Sequence, residues 1–285
     1  MQSKQTEQGP RSIQWYPGHM AAAKRMMEEN LKLVDLILEL RDARIPHASA
    51  NPDIGNFSKP RLILLNKSDM ADARRTARWL AWFQAQGQPA LAITARQKQT
   101  EVFAFIDRLC AEKMAYFQAR GVKKNPRVLV AGIPNTGKST LINSLCGAAR
   151  AKTGDRPGVT RGKQWIKARN IELLDTPGLL WPRFDDQQCA RRMAFTGAVN
   201  DEVMDLGELA LSLIDTLRQA YPDALPARYG ITPGEQAIDD FDAICRRRGF
   251  LLKNSEADYD RGARVLLDEF RGGKLGRITL EEPND

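Results

Sequence analysis

Short apolar runs alternate with amphipathic stretches through the first 175 residues of the chain. Runs such as VDLILEL, RLILLN and RVLVAG have the length and composition of buried strands. The stretches between them have helical spacing and end at glycines such as Gly87 and Gly121. The pattern predicts strands at 34–40, 61–66, 90–94, 127–132, 163–168 and 171–174, and helices at 21–33, 71–86, 99–119 and 138–145. This alternation predicts an α/β domain with a mostly parallel sheet and helices on both faces.

The strand pattern stops after about residue 185, and the remaining segments read as helices. The predicted helices are 186–198, 205–220, 234–248 and 258–271, separated by proline and glycine. We therefore predict a flexible N-terminal arm at 1–14, an α/β domain at 15–183 and an all-helical domain at 184–285.

Composition narrows the class of protein. The 285 residues are 42% hydrophobic, with no apolar run long enough for a transmembrane helix or a signal peptide. The four cysteines are scattered without metal-ligand spacing, which favours reduced thiols in a cytoplasmic protein. Residues 61–179 carry 21 Lys/Arg against 8 Asp/Glu, whereas residues 180–285 carry 14 against 20. A basic middle region indicates a polyanionic partner such as nucleic acid, although solubility alone could explain it.

The segment GIPNTGKS, residues 132–139, fits the phosphate-binding pattern G-x-x-x-x-G-K-[ST] between a predicted strand and a helix. Its glycines allow backbone amides to wrap round phosphates. We expect Lys138 to reach the β and γ phosphates and the Ser139 hydroxyl to bind Mg²⁺.

A second phosphate element, LLDTPG, ends a strand in the pattern D-x-x-G. Asp175 is expected to hold Mg²⁺, and the Gly178 amide to meet the γ phosphate. Upstream, RPGVT places Thr160 in a basic loop between the two elements, where we expect its hydroxyl to be a further Mg²⁺ ligand.

The segment NKSD, residues 66–69, follows a predicted strand and indicates guanine recognition. The Asp69 carboxylate can accept hydrogen bonds from guanine N1–H and the exocyclic amine, a donor pair that adenine lacks. Asn66 would brace the site, Lys67 would lie along the base, and Thr94-Ala95 would contact guanine O6. We expect the nucleotide to be held by Asn66, Lys67, Ser68, Asp69, Thr94, Ala95, Asn135, Thr136, Gly137, Lys138, Ser139, Thr140 and Gly178.

The base-reading segments precede the phosphate loop, the reverse of the order in Ras-like GTPases. Strand ends meet at one edge of a parallel sheet whatever the chain order, so one pocket can still form. The sequence therefore predicts a circularly permuted P-loop GTPase fold. It also predicts that a change at D-x-x-G reaches the helical domain through a hinge near residues 180–190.

These motifs, with QWYPGHM (14–20), DARIP (42–46) and DTPGLLWP (175–182), resemble the circularly permuted GTPases of the YlqF/RbgA type, the ribosome biogenesis GTPase A family. The resemblance implies a switch in late assembly of the large ribosomal subunit. It implies GTP hydrolysis stimulated by the ribosomal particle, and a helical domain that contacts rRNA. We expect a cytoplasmic monomer without membrane partners.

The resemblance also assigns two residues. Leu179 stands where Ras-like enzymes often have a water-orienting glutamine, and the resemblance points to His19 as the catalytic replacement. His19 could instead cap or pack against the first helix. Asn135 is matched to an asparagine that helps to bind K⁺ beside the phosphates in related GTPases; the alternative is an ordinary polar loop residue.

Other basic and aromatic residues remain open to two interpretations. The clusters Arg246–Arg248 and Arg271, Lys274, Arg277 are either RNA contacts or solvated faces. Trp15, Trp165 and Trp181 could stack on bases, but core or hinge packing is the preferred interpretation. Two other functions are also compatible with the motifs: an RNA-binding module with incidental hydrolysis, and a signalling GTPase outside the ribosome.

Overall fold

The computed structural model describes residues 28–55, 58–147, 164–175 and 186–283. Six strands form one sheet: β1 (Leu36–Asp42), β2 (Arg61–Asn66), β3 (Ala90–Ala92), β4 (Arg127–Gly132), β5 (Gln164–Ala168) and β6 (Ile171–Asp175). Their order across the sheet is β3-β2-β1-β4-β6-β5. All pairs are parallel except the β5–β6 hairpin at one edge. The prediction of a mostly parallel sheet is confirmed.

Besides a helical segment at 28–31, nine helices have both ends within the described residues, along with a 3₁₀ turn at Asp201–Val203. They are α1 (Pro52–Gly55), α2 (Ala73–Ala85), α3 (Thr100–Gln118), α4 (Lys138–Cys146), α5 (Gln187–Phe195), α6 (Leu206–Ala220), α7 (Ala224–Tyr229), α8 (Ala237–Arg247) and α9 (Tyr259–Arg271). None of these helices is long and apolar enough to cross a membrane.

Helices cover both faces of the sheet, as predicted. On one face, α3 and α4 bury Ile106 and Leu141 against the alternate strand residues Leu38 and Val130. On the other face, Trp79 and Phe83 of α2 pack on Ile63 and Leu65 of β2. Residues on both faces of the central strands are buried, which is why these strands read as continuous apolar runs.

Helices α5 to α9 surround a separate apolar core in the second half of the chain. The core includes Leu213, Phe241 and Leu266, which are at most 1% exposed. Ile45, Ala48 and Ile133 join the same core from the sheet half of the chain. The helical half therefore packs directly against the segment after β1 and against the phosphate loop.

The segment after α9 returns to the sheet half of the chain. The backbone N–H of Ile278 donates to the Met70 carbonyl at 3.0 Å, and that of Leu280 donates to the Arg44 carbonyl at 2.7 Å. The Thr279 hydroxyl accepts a hydrogen bond from the Asp72 N–H at 3.1 Å. The chain from 277 to 283 thus lies beside the 66–72 loop.

Four element predictions differ from the structure: β3 ends at Ala92 and not at 94, helix α1 is not predicted, and the first strand and α7 differ as follows. The first strand was expected at 34–40 but runs from Leu36 to Asp42, because Arg41 and Asp42 are buried despite their charge. The sequence pattern does not predict helix α7, because it assigns Pro226 to a break between helices. Pro226 occupies the first turn of that helix, where proline costs no intrahelical hydrogen bond. The domain boundaries at 14 and 183 stay predictions.

Candidate nucleotide site

Three strand ends bring the predicted motifs to one edge of the sheet. Asn66 ends β2, Gly132 ends β4 and Asp175 ends β6. Asp175 pairs in register with Val130 of β4, so D-x-x-G begins beside the phosphate loop. These strands run parallel, and their carboxyl ends are where α/β proteins bind ligands.

The phosphate loop needs its glycines. Gly137 precedes α4 with φ of 96°, and a Cβ there would collide with the Asn66 side-chain amide. Gly132 has φ of 153°, and a Cβ there would collide with the Leu40 carbonyl. Asn135 also adopts a left-handed backbone, with φ of 59°. The loop therefore curves tightly against β1 and β2 before α4 begins.

Lys138, the first residue of α4, lies over this loop. Its Nζ donates to the carbonyls of Gly132 at 3.1 Å and Ile133 at 2.8 Å, and the residue is only 8% exposed. The ammonium group is thereby held at the helix N-terminus, where an anion is also favoured. Ser139 and Thr140 follow in the first turn of α4.

Asn66 joins the base-reading and phosphate-binding segments. Its Nδ2 donates to the Thr136 carbonyl of the phosphate loop at 2.6 Å. Its Oδ1 accepts from the Ala95 N–H at 2.8 Å. Because the side chain is 3% exposed, both hydrogen bonds are sheltered from water. One amide fixes three loops that are far apart in the sequence.

Asp69 lies at the exposed side of the same cluster. Its Oδ1 accepts a hydrogen bond from the Thr94 hydroxyl at 3.2 Å, and the Ser68 and Thr94 hydroxyl oxygens are 3.4 Å apart. The Ser68 N–H donates to the Ile93 carbonyl at 3.1 Å. The NKSD loop and the 94–95 loop are thus held side by side, with the Asp69 carboxylate accessible.

Asp42, at the end of β1, is a charged centre behind these loops. Its carboxylate accepts from the Arg44 guanidinium at 2.8 Å and lies 2.9 Å from the Lys67 ammonium. Burial opposes ionisation of Asp42, but the two cations outweigh it and hold the pKa of that carboxyl well below its ordinary value. Asp42 therefore keeps its negative charge and positions Lys67 of the NKSD motif.

Both halves of the site contact the helical half of the chain. The Asn135 side-chain amide donates to the Gly197 carbonyl just after α5. Arg44, 1% exposed, donates to the Phe270 carbonyl at 3.0 Å and the Arg271 carbonyl at 3.3 Å at the end of α9. The phosphate loop and the Asp42 centre are each tied to a different helix end.

Several predicted site residues lie outside the described residues: His19, Thr160 and Gly178. Asp175 is described as the last residue of β6. In the described part of the chain, no group of three or more His, Cys, Asp or Glu side chains could hold a metal ion. The assigned roles of these residues stay predictions.

Asp42 and Arg44 were not singled out as site residues from the sequence, although they belong to the DARIP segment. A usable signal was present, since charged residues directly after an apolar strand must be paired if they are buried. The strand before them, β1, lies between the strands that lead into NKSD and the phosphate loop. A position next to both motifs could therefore be inferred for Asp42 and Arg44.

The structure partly decides between RNA contact and packing for three residues: Arg248, Arg271 and Trp165. Arg271 donates to Asp201 at 2.7 Å and to the Ala194 carbonyl at 2.9 Å, and Arg248 pairs with Glu269 at 2.8 Å. These two arginines therefore hold the helical half together. Trp165 is 40% exposed, so the expectation that it is packed away is not met.

Comparison with known proteins agrees with this geometry. Residues 127–244 match a family described as 50S ribosome-binding GTPase. The match begins at the first residue of β4, so the NKSD motif precedes it. The ribosome biogenesis GTPase A of Bacillus cereus is 46% identical, with 96% of this chain and 95% of that protein covered. The protein of that name from Thermotoga maritima is 32% identical over 96% and 95%.

Solved structures show the same fold. A GDP-bound YlqF structure superposes with a TM-score of 0.68 at 27% identity, covering 92% of this chain and all of the other. A GNP-bound YlqF from T. maritima gives 0.66 at 27% identity, covering 93% and 99%. With these likenesses extending over nearly the whole length of each relative, the chain belongs to the ribosome biogenesis GTPase A family.

Proposed function

We propose that this GTPase acts as a switch in late assembly of the large ribosomal subunit. In the GTP state it would bind the precursor particle and its rRNA in the cytoplasm, and hydrolysis to GDP and phosphate would release it. Membership of the family makes the chain a GTP hydrolase of ribosome biogenesis. We propose in addition that its target is the large subunit, that it contacts rRNA, and that it is a cytoplasmic monomer.

The bridge made by Asn66 is the observation that carries the proposal. One buried side chain bonds the phosphate loop at Thr136 and the base-reading loop at Ala95. Motifs about 70 residues apart, in permuted order, therefore lie next to each other. This geometry supports a single nucleotide that spans both loops.

Base recognition is assigned to Asp69. Its carboxylate is accessible and is steadied by the Thr94 hydroxyl. It would accept from guanine N1–H and the exocyclic amine, whereas adenine would leave it without donors. Lys67, held by Asp42, would lie along the base, and the Ala95 and Thr94 backbone would meet guanine O6.

Mg²⁺ would be held by oxygen ligands, which this cation prefers. The Ser139 hydroxyl stands in the first turn of α4, and Asp175 ends the strand beside the phosphate loop. Thr160 completes the proposed set. When bound, Mg²⁺ neutralises charge on the β and γ phosphates. Lys138 would add its own positive charge, and the Gly178 amide would contact the γ phosphate.

Water activation is assigned to His19, since Leu179 has no group that can orient water by hydrogen bonding. Asn135 is proposed as a K⁺ ligand. Its hydrogen bond to Gly197 uses the amide nitrogen and not the oxygen that a cation would take. K⁺ beside the phosphates would supply positive charge during hydrolysis.

Two measurements test the proposal. Calorimetry should show GDP and GTP binding at least about 100-fold tighter than ATP, and Asp69→Asn should remove that preference. Co-sedimentation should show large-subunit precursors retaining the protein with a GTP analogue but not with GDP. Equal ATP and GTP affinity would overturn guanine recognition. Retention that is independent of nucleotide would overturn the switch.

A further inference from the structure

A surface at the end of the sheet opposite the nucleotide loops carries an unusual density of positive charge. This surface, which we call the basic edge, consists of two segments. The first is residues 113–127, from the end of α3 to the start of β4, and the second is residues 165–169, on and just after β5. These two segments contain seven Lys/Arg and no Asp or Glu: Lys113, Arg120, Lys123, Lys124, Arg127, Lys167 and Arg169. The second half of the chain is acidic, so this density is local.

The two segments form one continuous surface. Lys113 and Lys124 both pair with Asp35, at 2.6 and 3.2 Å, and Asp35 also accepts from the Arg127 N–H at 2.9 Å. The Arg127 guanidinium then lies 5.0 Å from the Trp165 ring centroid. These contacts connect the end of α3 to the outer strand β5.

Most of the charge on this surface is available to a partner. Asp35 and Glu172 are the carboxylates that pair with its cations within the described chain. Arg120, Lys123 and Lys167 are exposed and form no ion pair with a described carboxylate. The surface therefore keeps a net positive charge after its internal pairs are counted.

Two partly exposed aromatic side chains stand among these cations. Tyr116 is 54% exposed and Trp165 is 40% exposed. The Arg120 guanidinium lies 3.6 Å from the Tyr116 ring centroid, and Lys124 lies 4.5 Å from that of Phe117. Exposed rings interleaved with cations are the arrangement that binds bases by stacking and phosphates by charge.

The position of the basic edge leaves the nucleotide pocket open. Arg127 begins β4 and Gly132 ends it at the phosphate loop, about 17 Å away, whereas Trp165 pairs with Leu174 and is the member of the basic edge that lies nearest to Asp175. A partner could therefore occupy the edge in either nucleotide state.

We infer that the basic edge is an RNA-binding surface, with a strand's phosphates along Arg120, Lys123 and Lys167 and unstacked bases on Tyr116 and Trp165. The inference rests on the proposed function, because it names a second place where that protein meets RNA. It is separate from any contact made by the helical half.

Charge reversal tests the surface in the full-length protein. Arg120→Glu/Lys123→Glu is compared with Arg74→Glu/Lys253→Glu, which makes the same charge change at two exposed positions elsewhere. Fluorescence anisotropy with a labelled single-stranded RNA of 20 nucleotides should show at least tenfold weaker binding for the first variant and at most threefold for the control. The slope of log K against log salt should fall by about 1.4, because each lost phosphate contact on a single strand removes about 0.7.

The aromatic residues are tested separately. Tyr116→Ala and Trp165→Ala should each weaken binding by about fivefold or more with an unchanged salt slope, whereas Tyr259→Ala, on the helical half, should not. GDP affinity should stay at the wild-type value in every variant, which also reports correct folding.

The outcomes separate the two proposals. Wild-type protein that binds neither RNA nor large-subunit precursors would overturn the proposed function. If the wild-type protein binds RNA and both double variants bind it with the same affinity, the proposed role of the basic edge is wrong and the proposed function stands. Flotation with vesicles of 30% phosphatidylserine provides a further check: loss of vesicle binding with RNA binding intact would assign the edge to lipid headgroups instead.

Discussion

Asn66 is the residue with the greatest expected effect on nucleotide affinity. Asn66→Ala removes both hydrogen bonds and leaves the Thr136 carbonyl and the Ala95 N–H without that partner. With a cost of about 1–3 kcal/mol for such a loss, GDP affinity should fall about 5- to 150-fold. Calorimetry measures it, with Asn254→Ala at an exposed position as control. Unchanged affinity would mean that the loops are ordered by the nucleotide itself.

Glu269 is a second residue with a defined physical role. Its carboxylate accepts from Arg228 at 2.7 Å, from the Tyr229 hydroxyl at 2.9 Å and from Arg248 at 2.8 Å. The Arg228 hydrogen bonds, against some desolvation, lower the pKa of Glu269 to about 2, and Tyr229 and Arg248 add to the effect. The ionised carboxylate therefore stabilises the helical half.

The sign of the pH dependence follows from that lowered pKa. The stability that Glu269 contributes is fully present above the unfolded pKa of about 4.5 and is lost as the pH falls towards 2. Glu269→Gln should lower the free energy of unfolding by about 2–3 kcal/mol at pH 7. The difference from wild type should shrink below pH 4.5 in urea titrations. Exposed Glu256→Gln is the control, and a pH-independent difference would contradict the assignment.

At the scale of elements, Arg44 is the main link between β1 and the end of α9. It bonds Asp42 on one side and the Phe270 and Arg271 carbonyls on the other, and its guanidinium lies 5.3 Å from the Phe270 ring centroid. Asp42 and Phe270 are each 2% exposed, so water has little access to the hydrogen bonds that Arg44 makes with them.

Arg44→Met should therefore destabilise the protein by about 3–5 kcal/mol, the usual cost of removing one member of a buried ion pair. Hydrogen exchange at 270–283 should speed up more than exchange in β4. Arg261→Met, at an exposed position of α9, is the matched control. Equal acceleration throughout the chain would show a global effect without a specific link between these elements.

The sequence predicted regular elements better than the links between them. Strands Arg61–Asn66 and Arg127–Gly132 have the predicted bounds because apolar side chains fill both faces of the sheet. The return of residues 277–283 to the NKSD loop was not predictable by periodicity, since its contacts are backbone hydrogen bonds of an irregular segment. The exposure of Trp165 depends on which edge of the sheet β5 occupies, which no local pattern records.

At the scale of the whole molecule, the bond from Asn135 to Gly197 joins the phosphate loop to the helical half. If nucleotide state moves the helices, amide exchange at 186–197 should differ between GDP and a non-hydrolysable GTP analogue. Asn135→Ala should reduce the difference, because it removes this bond. Mass spectrometry of exchange measures both, and identical exchange in the two states would contradict the coupling.

The bonds that residues 277–283 make to the 66–72 loop also constrain when the protein becomes active during its own synthesis. A ribosome that has translated both NKSD and the phosphate loop must read about 140 further codons before the partners of Met70, Asp72 and Arg44 are made. The guanine-reading loop would therefore gain these hydrogen bonds only after residues 278–280 have been made, so nascent chains without them would bind GTP more weakly than chains that include them.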